Sequence, residues 1–196
     1  MLEKSSLLLI GDSFGAPVSM NNNTWYSTLN QSFNVENRAQ SGVGQYKIRQ
    51  QLLPNDKFDI CILLVTSEYR IYCPQNPFYP DVTHTHHNSD LIFSDIESRV
   101  PDKKAEHITW WFSEIFDLVH ARYQHSLVLK DTEQSIQKCC KKLIPITFFK
   151  PYKSIYDFNG QLIDLSWVHK NHPGSINHLS DVGHNKVLKI LEKQLA

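Results

Sequence analysis

Phe58-Asp59-Ile60-Cys61-Ile62-Leu63-Leu64-Val65 is the stretch that decides the fold class. It is short and almost continuously apolar, which is typical of a central strand in a parallel sheet with both faces covered. Residues 7–10 are a similar apolar run near the N-terminus, and Gly11 ends it. These two runs predict neighbouring buried strands.

The rest of the chain alternates between strand-like and helix-like patterns. Further strands are predicted at 33–37, 143–149 and 162–165, and helices at 44–53, 105–124, 132–141 and 184–195. Pro145 predicts an edge position or a bulge for its strand, because proline has no N–H to donate. The alternation predicts one domain over 1–196, a three-layer α/β sandwich with about five mostly parallel strands.

The segment 69–101 is rich in Pro, Asn, His and Tyr and has no clear period. A loop of this length in a compact domain is usually a lid or an ordered excursion. The sequence leaves open whether it covers a site.

The bulk composition narrows the possible partners and location. Lys and Arg total 20 and Asp and Glu total 20, so the formal net charge is zero. This balance gives no electrostatic reason to expect nucleic acid or an anionic membrane as a partner. The first apolar run is too short for a signal peptide or a membrane span. We therefore expect a cytoplasmic protein; the oligomeric state stays open.

The cysteines and clustered histidines do not predict a metal site. Cys61, Cys73, Cys139 and Cys140 have no C-x-x-C spacing, so we expect reduced thiols, with Cys61 in the core and none catalytic. His84, His86 and His87 lie close together, but no carboxylate or cysteine spacing supports a metal centre around them. We expect no metal and no cofactor.

The chemistry is predicted by two short motifs at opposite ends of the chain. Ser13 follows the first strand in Gly11-Asp12-Ser13, which places its hydroxyl at the carboxyl edge of the sheet, where ligands bind in this fold class. A serine needs a base to become nucleophilic. Asp181 and His184 are three residues apart, so both side chains lie on one side of a helical turn and can complete a triad. The alternative is a structural role: a turn at Ser13 and a helix cap at Asp181.

These motifs resemble those of the SGNH hydrolases, also called GDSL-type esterases. The resemblance spans nearly the whole chain in short blocks: 11–14, 37–42 (Asn-Arg-Ala-Gln-Ser-Gly) and 181–184. It implies a flavodoxin-like sandwich, Ser13 as nucleophile, His184 as base and Asp181 as its orienting acid. It also implies that the backbone N–H groups of Ser13 and Gly42 bind the oxyanion.

The third block differs from the family pattern. Where the family has Gly-x-Asn-Asp after the third strand, this chain has Val65-Thr66-Ser67-Glu68. Ser67 then takes the place of the asparagine donor, and its hydroxyl can donate one hydrogen bond. Thr66, Arg70 and Asp12 complete the predicted set of oxyanion- and substrate-binding residues. The histidines His172 and His178, just before Asp181, are interpreted as loop residues or substrate contacts.

Two functions follow from this reasoning. The first is a serine esterase or carbohydrate O-acetylesterase that acts on a small ester or an acylated sugar; an acyltransferase with the same acyl-enzyme stays open. The second is a weakly active or non-catalytic SGNH-like module that binds a glycan or a protein partner.

Overall fold

The computed structural model describes residues 4–17, 24–151, 156–174 and 178–195. Strands and helices alternate along most of this length. The strands are Ser6–Ile10 (β1), Asn34–Asn37 (β2), Phe58–Val65 (β3), Arg70–Ile71 (β4), Leu91–Ile92 (β5), Cys140–Thr147 (β6) and Ile163–Asp164 (β7). The helices are Trp25–Leu29 (α1), Gln45–Gln50 (α2), Phe93–Glu97 (α3), Lys103–Glu114 (α4), Leu118–Cys139 (α5), Ser166–Asn171 (α6) and Asp181–Leu195 (α7).

Within the described residues, five strands form one parallel sheet in the order β2-β1-β3-β6-β7. The two apolar runs of the sequence are its centre: β1 lies beside β3, with Leu7 opposite Ile60 and Ile10 opposite Leu63. Because all five strands are parallel, their carboxyl ends lie at the same edge of the sheet. The predicted fold class is confirmed.

Helices cover both faces of this sheet. On one face, α1, α6 and α7 pack against alternate strand residues such as Leu9 and Ile62. On the other face, α2 and α5 pack against the intervening residues, including Leu8 and Leu63. Alternation of side chains along each strand therefore divides the core into two halves, one on each side of the sheet. Cys61 is fully buried in the second half, as predicted.

The excursion after β3 is ordered and folds into a small unit of its own. β4 and β5 pair antiparallel, and α3 and α4 pack beside them around Ile96, Ala105 and Phe112. Its ends are fastened to the sheet edge by Asp90, whose carboxylate accepts from Gly44 N at 2.6 Å and from Cys73 N at 3.1 Å. Sequence reasoning left residues 69–101 without secondary structure, because β4, β5 and α3 are too short to show a period.

Two element predictions are wrong, for local reasons. The helix predicted over 105–124 is broken, because Asp117 caps a new helix by accepting from Val119 N at 2.8 Å and His120 N at 3.2 Å. The new helix α5 also contains most of the predicted 132–141 helix. Pro145 does not mark an edge strand, since β6 lies between β3 and β7. β7 is so short that it pairs only with Ile146 and Thr147, which leaves Pro145 unpaired on that side.

Across the described ranges, no helix has both the length and the apolar character needed to cross a membrane.

Candidate active site

The predicted site residues follow three adjacent strands. Ser13 comes after β1, Gly42 after β2, and Thr66 and Ser67 after β3. Two backbone hydrogen bonds join the first two segments: Arg38 N donates to Leu9 O at 2.9 Å and Gln40 N donates to Gly11 O at 3.0 Å. The topology therefore brings these residues to one edge of the sheet, as predicted.

Ser13 lies in a tight turn that Asp12 organises. Gly15 N and Ala16 N both donate to Asp12 O, at 3.1 and 3.0 Å, and Phe14 N donates to Asp12 Oδ1 at 3.1 Å. The described residues after Ser13 form this turn and not the start of a helix. Ser13 itself is partly exposed.

Gly11 fixes the start of this turn. Gln51 reaches it from the end of α2: its Oε1 accepts from Gly11 N at 2.8 Å and its Nε2 donates to Gly11 O at 3.0 Å. A Cβ on Gly11 would lie 2.4 Å from Leu64 Cβ, so only glycine fits here. Gln51 and Leu64 therefore fix the junction between β1 and the Ser13 turn.

Asp12 is the centre of a buried polar network. Its Oδ2 accepts from Thr66 Oγ1 at 3.0 Å and pairs with Arg70 NH2 at 2.9 Å, while Arg70 NH1 donates to Val43 O at 2.7 Å. The Asp12 and Arg70 side chains are only 2% and 7% exposed. Asp12 was predicted among the oxyanion- and substrate-binding residues, but both its oxygens are engaged within the chain. Asp12, Thr66 and Arg70 therefore join the turns after β1, β2 and β3.

The turn after β2 is held by Asn37 and shaped by Gly42. Asn37 Nδ2 donates to Gly15 O at 2.8 Å, which ties this turn to the Ser13 turn. Gly42 has a φ of +74°, a conformation that other residues adopt at a cost, and a Cβ there would lie 2.5 Å from Ser89 Cβ. His86 Nδ1 lies 3.6 Å from the same position. The 86–90 segment of the excursion therefore packs on Gly42.

Unused hydrogen-bonding groups remain at this edge. Within the described residues, no hydrogen bond engages the backbone N–H of Ser13, the Ser13 hydroxyl or the backbone N–H of Gly42. Backbone N–H groups normally find partners inside a protein. Two unengaged N–H donors at the same sheet edge as an unengaged hydroxyl can donate to an anionic oxygen.

Ser67, in the place of the usual asparagine, helps to hold its own turn. Its Oγ accepts from Tyr69 N at 3.3 Å, and its carbonyl accepts from Arg70 N at 3.4 Å. The hydroxyl hydrogen is still available to donate, and the residue is partly exposed.

His184 and Asp181 are not joined in the structure. His184 is buried against α1, where its Nδ1 accepts from Trp25 N at 3.4 Å. Asp181 is exposed as the first residue of α7, and no hydrogen bond among the described residues links it to His184. Burial lowers the pKa of His184, and Asp181 opposes this from a distance. The Nδ1 atom that Asp181 would orient is thus occupied by Trp25.

Two histidine rings lie beside Phe14 of the Ser13 turn: that of His169 at 5.0 Å and that of His178 at 5.8 Å, centroid to centroid. Burial lowers the pKa of His178, while the nearby Asp12 carboxylate acts in the opposite direction; His169 and Arg70 lower it further. A half-buried, mainly neutral imidazole beside this turn has the properties of a general base.

Sequence reasoning interpreted His178 only as a loop residue or substrate contact, because it gave the motif Asp181-x-x-His184 priority. Helix α7 begins at Asp181, so His184 lies one turn inside the helix, on the face that packs against α1. A residue in the segment that precedes a helix is better placed to reach the sheet edge. The sequence signal that was available is the pair Ser180 and Asp181, because serine and aspartate commonly begin a helix.

The clustered histidines of the excursion pack on an aromatic ring. The His84 ring stacks on Tyr79 at 4.4 Å, and His87 Nδ1 hydrogen-bonds with Tyr79 O at 3.0 Å. In the part of the chain that the structure describes, no group of three or more His, Cys, Asp or Glu side chains is arranged to hold a metal ion.

No protein-family model matches the chain, and no curated protein matches it. The geometry around Ser13 is accordingly the ground for the functional proposal.

Proposed function

We propose that this protein is a serine hydrolase of the SGNH type that cleaves carboxylic esters through an acyl-enzyme. The observation that carries the proposal is the partly exposed Ser13, which within the described residues has an unengaged hydroxyl and lies at the same sheet edge as two unengaged backbone N–H groups, its own and that of Gly42. A nucleophile next to free donors is the minimum that acyl transfer needs.

Ser13 Oγ attacks the ester carbonyl, and a histidine takes its proton. We assign this role to His178, because its ring lies beside Phe14 and it is near enough to Asp12 for that carboxylate to act on its pKa, whereas His184 is engaged with Trp25. The buried Asp12 carboxylate favours the protonated state of His178, which stabilises the imidazolium that forms during attack. Asp12 acts here as a positioning residue, since it also holds the turn that carries Ser13.

The developing oxyanion is bound by Ser13 N and Gly42 N. The Ser67 hydroxyl is the third donor in this proposal, in place of the family's asparagine amide. A missing donor of this kind typically costs about 100- to 1000-fold in rate. Because the Ser67 hydroxyl is shorter than an asparagine amide and rotates freely, we expect a modest turnover compared with an enzyme whose third donor is that amide.

The protonated histidine then gives its proton to the leaving alcohol, and water hydrolyses the acyl-enzyme. The products are a carboxylic acid and an alcohol, and no metal or organic cofactor takes part. A small ester or an acylated sugar fits this chemistry.

The proposal is tested with p-nitrophenyl acetate and with a fluorophosphonate probe. We expect wild type to hydrolyse the ester and to be labelled at Ser13, and Ser13→Ala to lose both. Ser41→Ala is the matched control, because Ser41 is a partly exposed serine at the same sheet edge and should keep the activity.

The same assay separates the two histidines. Removing a general base lowers the rate about 100- to 10,000-fold, so the rate of ester hydrolysis by His178→Ala should fall by a factor in that range. His184→Ala should keep a measurable rate in the fraction that folds. The reverse result would assign the base to His184 and its orientation to Asp181.

Equal, background rates of ester hydrolysis for wild type and Ser13→Ala would refute the hydrolase proposal. That result would favour a binding module for a glycan or protein partner, built on the same sheet edge.

A further inference from the structure

Three cysteines meet at the end of the sheet opposite Ser13. Helix α5 ends at Cys139 and β6 begins at Cys140, and their sulfur atoms lie 3.6 Å apart. Cys61 of β3 packs in the same apolar cluster and is fully buried. Within the described residues none of these thiols is in a disulfide.

Cys139 and Cys140 line an open cavity of about 400 Å³. Lys57, Lys138 and Lys141 also line it, against the single carboxylate of Asp59, which pairs with Lys141 Nζ at 2.7 Å. The rim therefore has an excess of positive charge. A cavity of this size can hold a small molecule, and its charge favours an anionic one.

The thiols of the cluster differ in reactivity. A hydrogen bond with Cys61 is the main cause that lowers the pKa of Cys140 to about 7; Cys139 and the Phe58 backbone add to it, while burial and Asp56 oppose it. Burial raises the pKa of Cys139 to about 12, and its thiol donates to helix carbonyls of the preceding turn. Because the thiolate is the nucleophile, Cys140 is the reactive member.

We propose that Cys140 is a thiol-modification site that exchanges with small anionic disulfides of the glutathione class. The Cys140 thiolate attacks one sulfur of the disulfide and forms a mixed disulfide. The original S–S bond breaks, and the other half leaves as a thiolate that takes a proton from water. The lysines of the cavity hold the carboxylates of the bound half.

The test is incubation of the full chain with oxidised glutathione at pH 7.4, followed by intact mass and peptide mapping. We expect one adduct, on Cys140, formed about tenfold faster than any adduct on Cys73, because burial raises the pKa of Cys73. Cys140→Ser should lose the adduct and Cys73→Ser should keep it. Equal rates at Cys140 and Cys73 in folded wild type would overturn the proposal.

Two further measurements address the mechanism and do not depend on Cys140→Ser folding. The pH profile of the reaction should have its midpoint near pH 7 and move upward in Cys61→Ala, which lacks the hydrogen-bonding thiol. Lys138→Glu should slow the reaction with oxidised glutathione several-fold but leave the reaction with uncharged 2-hydroxyethyl disulfide unchanged. An equal effect on both disulfides would refute the role of the cationic rim.

Discussion

Replacing Asp12 with asparagine tests whether the buried network organises the sheet edge. The substitution keeps the shape of the side chain but removes the charge that faces Arg70, whose side chain is 7% exposed. Breaking a buried ion pair on one side costs about 3–5 kcal/mol, because the remaining charge is left without a partner. Asparagine still accepts one hydrogen bond, so we expect a loss near the lower limit, about 3 kcal/mol. In a chain of this size that lowers Tm by about 6–12 °C.

The assay is urea unfolding followed by circular dichroism. Asp131→Asn is the matched control, because it removes the same charge from the exposed Arg49–Asp131 pair, where the Nε–Oδ2 distance is 2.6 Å and Asp131 is 60% exposed. The free energy of unfolding of this control should fall by less than about 1 kcal/mol. Adding Arg70→Met to Asp12→Asn should recover part of the stability, since no buried charge then remains. A loss for Asp12→Asn as small as that of Asp131→Asn would refute the reasoning.

Three further predictions address single residues. Burial lowers the pKa of His125 from 6.5 to about 4, so the folded state binds a proton less readily than the unfolded chain. The free energy of unfolding should therefore be at its maximum above pH 6.5 and fall by about 3 kcal/mol toward pH 4. His125→Leu should flatten this dependence in urea titrations at pH 7 and 4.5, and an unchanged slope would contradict it. Gly42→Ala should cost at least about 2 kcal/mol in thermal unfolding and reduce ester hydrolysis, because φ is +74° and the Cβ lies 2.5 Å from its neighbour; a wild-type Tm would exclude this. Gln51→Ala should cost about 1–3 kcal/mol, because it leaves Gly11 N unpaired while Gly11 O keeps its hydrogen bond from Gln40 N; the exposed Gln50→Ala should be near neutral, and equal urea midpoints would argue against the prediction.

The central strands were predictable because residues 7–10 and 58–65 are apolar at almost every position. That pattern is typical of a strand that is covered on both faces of the sheet. The break between α4 and α5 was not predictable from periodicity, because apolar residues continue through it. It depends on Asp117 capping a new helix, and an aspartate in that place is equally consistent with an uninterrupted helix.

The site was predictable to the level of the sheet edge. Ser13, Gly42 and Ser67 lie where parallel strands end, and topology alone brings such positions together. The surroundings of the two candidate histidines were not predictable at the level of one side chain. That His184 packs against Trp25 while His178 lies beside Phe14 depends on where α7 begins and on which of its faces is buried, and those are properties of tertiary packing.

Asp90 gives the excursion a modular character. Its carboxylate binds Lys47 Nζ at 2.9 Å together with the backbone N–H groups of Gly44 and Cys73, so one side chain fastens both ends of the excursion to the sheet. Asn76 N also donates to His87 O at 3.1 Å, which closes the loop at its base. The residues between those closing contacts and before His86, which itself packs on Gly42, are held at both ends and can change in length and composition with little effect on the sheet edge. Residues 77–85 are therefore the part of the excursion most open to redesign.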